Sequence, residues 1–164
     1  MILGLSTPDF TLLHVIISLI GILSGGAVLI GMLRSNRAEG WAALFLATTI
    51  LTSVTGFMFP ITKIGPPHIF GAISLPLLAA AVAAFYVYRL KGRWRWIYIV
   101  AAMLSLYLNA VVAVVQSFQK LPHLQVLAPT QSEPPFLIVQ VAMLALFAVT
   151  GFMAVKKFHP ERKI

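Results

Sequence analysis

"FTLLHVIISLIGILSGGAVLIGML", residues 10–33, carries no Asp, Glu, Lys or Arg. At a helical rise of 1.5 Å per residue, about 20 apolar residues cross the ~30 Å hydrocarbon core of a bilayer, so this stretch predicts a transmembrane helix. A secretory signal would also be apolar. This stretch lacks a basic leader, outruns a signal's apolar region, and is followed by Arg34 and Arg37 instead of a small-residue cleavage site. It is expected to stay as a helix.

The same reading recurs along the chain. Residues 40–62, 64–88, 96–119 and 134–155 likewise carry no Asp, Glu, Lys or Arg, and each is long enough to span. The composition agrees: 60% of the 164 residues are hydrophobic and 10% charged, against roughly 25% charged in an average soluble domain. No long linker and no internal repeat divides the chain. The sequence therefore predicts an all-α polytopic membrane protein, a compact bundle of five transmembrane helices forming one domain over residues 1–164.

The basic residues predict its orientation. Arg34, Arg37, Arg89, Lys91, Arg93, Arg95, Lys156, Lys157, Arg162 and Lys163 fall on one face of a five-span chain, and only Lys63 and Lys120 on the other. The positive-inside rule then places the amino terminus outside and the basic tail, residues 156–164, in the cytoplasm of a bacterial inner membrane. Trp41, Tyr86, Tyr88, Trp94, Trp96 and Tyr98 cluster at the same boundary, where amphipathic rings favour the headgroup layer. The net charge of +8 is expected to meet anionic lipid headgroups at Arg89, Lys91, Arg93 and Arg95, with no nucleic-acid partner. A membrane-protein partner or a second copy remains open.

Several chemistries are excluded. Without cysteine there are no disulfides, thiolate metal sites or thiol nucleophiles. None of the four acidic residues falls within a predicted span, which argues against a proton pump or cation transporter built on buried carboxylates. An odd number of spans without repeats argues against the inverted-repeat transporter plan. No nucleotide loop, serine triad or paired carboxylates occur, so enzyme status stays open.

Within the bundle, Gly21 and Gly25, flanked by Ser24 and Gly26, form a small-xxx-small step, and Ala79, Ala80, Ala81, Ala83 and Ala84 line the third span. Small residues permit close backbone approach in lipid, so these two helices are expected to touch. Pro76 predicts a kink.

The candidate site begins with "GPPHIFG", residues 65–71. Pro66 and Pro67 suit the first turn of a helix, which puts His68 near its outer end. His14 lies about one turn inside the outer end of the first span, so the two imidazoles share a depth. Gln116, Gln140, Thr62 and Lys63 converge on the same layer. The expected cofactor-binding set is thus His14, His68, Gln116, Gln140 and Lys63. The competing reading makes these side chains hydrogen-bonded glue between helices.

A lid is available in "KLPHLQVLAPTQSEPPF", residues 120–136, whose Leu121, Leu124, Val126 and Leu127 predict that it folds back onto the bundle. It would carry His123 and Glu133, making His14, His68 and His123 the candidate metal ligands. Neutral imidazole ligates a metal ion or haem iron and hydrogen-bonds a quinone carbonyl. Membrane cytochromes of the four-helix type set histidine pairs at matched depth on facing helices; His14 and His68 match that loosely, as one candidate pair with no second. Asn109 with Ser105 predicts a hydrogen bond between helices, Thr48, Thr52 and Thr55 a self-satisfied stripe, and His159 a solvated tail residue. Three functions follow: a redox or cofactor-binding module holding haem, a metal ion or a quinone-like lipid; an accessory or assembly subunit; and, behind these, a small-solute transporter or channel.

Overall fold

The computed structural model describes residues 1–60 and 65–160. Six α-helices follow one another: α1 (Thr7–Leu33), α2 (Glu39–Phe57), α3 (Pro66–Val82), α4 (Arg93–Lys120), α5 (Pro122–Leu127) and α6 (Pro134–Lys157). A π-helical turn, Ala83–Val87, continues α3. No strand forms among the described residues. Five of these helices are long and apolar enough to cross a membrane. This is an all-helical chain of the integral membrane kind.

Local sequence explains where the helices start. Ser6 caps α1 by accepting the Asp9 N–H at 3.3 Å, which satisfies one of the orphan donors of the first turn. Asn36 accepts the Ala38 N–H at 3.0 Å ahead of α2. Prolines occupy the first turns of α3 and α6, where a missing N–H costs nothing. The segment between α3 and α4 turns sharply through three left-handed residues, Arg89, Leu90 and Gly92.

The boundaries depart from the sequence reading by a few residues at several ends, and two of these shifts bear on the argument. Helix α2 ends at Phe57, short of residue 62. Helix α4 begins at Arg93, so Arg93 and Arg95 belong to its first turn and not to a loop. Amphipathic arginine can lie along a helix while its head reaches polar groups, and charge alone does not end the helix.

Helix α4 is the centre of the bundle. It touches α1, α2, α3, α5 and α6, whereas α1 lies mainly along α2, and α3 along α2 and α4. The core joins Phe45, Leu78, Ala81, Ala84, Phe85, Tyr98, Ile99, Ala102, Leu106 and Phe158. Contrary to the expectation from sequence, Gly21 and Gly25 do not meet the alanines of α3; they face α2 and α4. A Cβ on Gly25 would lie 2.5 Å from Leu106 Cδ1 and 2.9 Å from Phe45 Cδ2. The alanines instead let α3 approach the larger side chains of α4, which buries Ala81 and Ala84 completely. Small residues make close approach possible without specifying the partner.

One end of the bundle is fastened by the basic residues. Arg37 donates to the Arg89 carbonyl at 2.9 Å. Arg95, half-buried, donates from Nη1 to the carbonyls of Phe158 at 2.7 Å and Val155 at 3.1 Å. Arg95 therefore caps the carboxyl end of α6, its Nη1 committed to orphan carbonyls. Arg89, Lys91 and Arg93 are exposed. His159 is also more than a solvated tail residue: it is half-buried and its N–H donates to Ser35 Oγ at 2.8 Å.

Candidate functional site

The other end of the bundle is hollow. A cavity of about 530 Å³ lies among α1, α2, α3 and α4, within the size range of small-molecule sites. Val15, Leu19, Ile22, Val112, Ala113 and Leu121 give it apolar walls; His14, His68, Gln116, Asn109 and Lys120 add polar groups. The hydroxyls of Thr11, Ser18, Thr52 and Ser117 on its wall are already spent on carbonyls one turn back in their own helices. The imidazoles, the Gln116 amide and the Lys120 ammonium are left to face whatever enters.

His14 and His68 are held by opposite hydrogen-bond patterns. Thr55 Oγ1 donates its hydrogen to the Leu51 carbonyl at 2.7 Å, so toward His14 it acts as acceptor. With that hydrogen assigned to the carbonyl, His14 Nδ1, 2.7 Å away, carries the ring proton and Nε2 keeps a lone pair. In His68, Nδ1 accepts the Gly65 N–H at 3.4 Å, which places the neutral ring's proton on Nε2. Neither Nε2 has a partner among the described residues. Phe59 stands edge-on to His14 at 5.3 Å between ring centres, and Phe57 lies 6.3 Å from His68.

The cavity gathers only part of the set read from sequence. His14, His68 and Gln116 line it. Gln140 is half-buried on α6 and does not: α6 packs on α4 and α1, away from the α2–α3 side where the cavity lies. Lys63 and Thr62 fall outside the described residues. His123 is exposed on α5 and stands off the cavity, so His14, His68 and His123 do not form one metal site. No group of three metal-ligating side chains occurs among the described residues. The histidine pair also fits axial haem ligation poorly. Coordination through Nε2 asks for a bare Nε2 backed by a donating Nδ1–H; His14 has that arrangement and His68 has the reverse.

The segment after α4 is ordered, with α5 inside it, and brings Lys120 and Leu121 to the cavity rim. Its leucines are not what fastens it. Leu121, Val126 and Leu127 are exposed and Leu124 is half-buried, while Ala128 is fully covered. The segment is pinned by Gln131, which donates to the Val115 carbonyl at 3.1 Å and accepts from Gln119 at 3.4 Å, and by Phe136 against Phe118. Glu133 closes a turn, accepting from the Thr130 hydroxyl at 2.8 Å, the Thr130 N–H and the Ser132 N–H. Desolvation pushes its carboxyl up, but these donors prevail and hold it below the usual carboxylate range.

Two polar features differ from their sequence reading. Asn109 Nδ2, Ser105 Oγ and Thr49 Oγ1 are buried and find no hydrogen-bond partner among the described residues, so no bond from Asn109 or Ser105 to a neighbouring helix forms there. Asn109 and Thr49 crowd the bare face of Gly21: a Cβ built there would lie 3.3 Å from Asn109 Nδ2 and 3.1 Å from Thr49 Oγ1. Thr55 is the functional residue that sequence reasoning missed. It satisfies itself against its own helix, as threonine does, but its second lone pair fixes the His14 ring. Its signal in the sequence was depth, since Thr55 stands within one turn of the carboxyl end of α2, at the level read for His14 and His68.

No protein-family model, curated protein or solved structure matches this chain, and the site is read from its own residues.

Proposed function

We propose that this chain is an integral membrane protein that binds a lipid-soluble, oxygen-bearing ring molecule of the quinone class in the cavity between α1, α2, α3 and α4. One observation carries the reading: two imidazoles with unpartnered Nε2 atoms share a mainly apolar cavity of about 530 Å³. Apolar walls suit a ligand that partitions from lipid, and a few fixed polar groups orient it. The His68 Nε2–H can donate to a ring carbonyl, and the Gln116 amide can donate or accept beside it.

The test is direct. Protein purified in detergent and extracted with organic solvent should release a lipid-soluble ring compound. A short-chain benzoquinone should bind the full chain, and His14→Ala and His68→Ala should each weaken that binding roughly three- to tenfold, the value of one hydrogen bond. Both variants should melt near the parent. Loss of folding in both would leave the histidines as glue and put the accessory-subunit reading in front.

The orientation follows from charge. The fastened end carries the exposed Arg89, Lys91 and Arg93 and is assigned to the cytoplasmic face of a bacterial inner membrane, next to anionic headgroups. The cavity then opens toward the outer leaflet. A reporter fused after Ile164 should be cytoplasmic and one inserted at Thr130 external; both on one side would refute the assignment.

A further inference from the structure

Resting on that reading, we propose that the cavity prefers the reduced, hydroxyl-bearing form of its ring ligand over the oxidised form, and that Thr55 is the positioning residue that sets this preference. The two histidines offer opposite halves of a hydrogen-bond pair. His68 presents Nε2–H, a donor. His14 presents the Nε2 lone pair, an acceptor, in the arrangement where Thr55 Oγ1 gives its hydrogen to the Leu51 carbonyl and accepts from His14 Nδ1.

An oxidised quinone carries carbonyl oxygens and no O–H. It can accept from His68, but at His14 its oxygen would meet a lone pair and leave a desolvated acceptor unpaired. A quinol hydroxyl both donates and accepts: one O–H donates to His14 Nε2, while the oxygen of the other accepts from His68 Nε2–H. A ring bearing one hydroxyl and one carbonyl satisfies the same two contacts. Discrimination is strong where a site's polar group is left unpaired by the wrong partner.

Asn109 and Gln116 also line the cavity, and Thr52 and Ser18 donate to carbonyls within their own helices, but the side chain bonded to the His14 ring is Thr55. Thr55 therefore acts through His14. With valine there, no group holds the proton on Nδ1, and the imidazole is free to place it on Nε2, which reverses what the ring offers to the ligand.

The probe is a short-chain benzoquinone and its quinol, bound separately to the full chain in lipid nanodiscs under anaerobic conditions. The parent should bind the quinol roughly three- to tenfold more tightly than the quinone, and Thr55→Ser, which keeps the hydroxyl, should retain that ratio. Thr55→Val should bring the ratio toward one. A parent that binds both forms equally, or the quinone more tightly, overturns the preference while leaving the cavity reading in place. A ratio unchanged in Thr55→Val overturns the role of Thr55. Binding of neither form overturns the cavity reading and the preference with it. Because the ratio is measured on each variant separately, a general loss of packing, which weakens both forms alike, does not imitate the expected result.

Discussion

Gly25→Val is expected to prevent the bundle from assembling, and Gly25→Ala to destabilise it by about 1–3 kcal/mol, the usual penalty for overpacking a filled core. The geometry leaves no slack. A single added carbon would lie 2.5 Å from Leu106 Cδ1 and within 3.0 Å of two atoms of the Phe45 ring. Leu106 is a flexible side chain and can rotate away, but the Phe45 ring is fully buried and has nowhere to turn. Valine adds two further branches on the same side. Unfolding in mixed detergent micelles, followed by circular dichroism, measures the effect. Combining Gly25→Ala with Leu106→Ala should recover part of the loss, since the pair is in contact and the effects should not add. An alanine variant as stable as the parent would mean that α1 does not pack this closely against α2 and α4.

Arg95→Ala is expected to free the carboxyl end of α6. The guanidinium holds two carbonyls, Val155 and Phe158, that the last helical turn leaves without partners. Hydrogen bonds from a charged donor are worth roughly 1.5–3 kcal/mol each in partly buried settings, and here the loss falls on the helix least able to absorb it. Along its 24 residues α6 buries only Ala154, and Phe158, fully buried beside Tyr98, is the plug that its end carries. Protection from hydrogen exchange should fall over residues 150–160 while α1 to α4 keep theirs. Protection unchanged in that segment would show that Phe158 holds α6 without the arginine.

The five long helices were legible because charge gaps of membrane length have few other meanings, and lipid forces helices wherever the backbone must satisfy itself. That His14 and His68 would line a common cavity was legible too. Rise per residue fixes depth, and two side chains at one depth in a small bundle have few places to go. What depth does not give is azimuth. Gln140 shares the layer but belongs to a helix on the far side of α4, and His123 shares the loop but points outward. The partner of the Gly21 and Gly25 step was hidden for the same reason: a small residue advertises an approach and is silent about what approaches. The capping role of Arg95 was hidden because it depends on a carbonyl 60 residues away that only the folded chain brings near. Thr55 was hidden by its ordinariness, since one lone pair of a self-bonded threonine leaves no trace in a sequence.

The helices differ in length, and the difference bears on the surrounding lipid. At 1.5 Å per residue, the 27 residues of α1 and the 28 of α4 measure about 40 Å each, while the 19 of α2 measure about 28 Å. A hydrocarbon layer of ~30 Å cannot match all three standing upright. The long pair must lean, or the layer must thicken around it and thin beside α2, each at a fraction of a kcal/mol per ångström of mismatch. Bilayer thickness thereby becomes a force on the angle between α2 and its neighbours α1 and α4, and the cavity walls are made of those same helices.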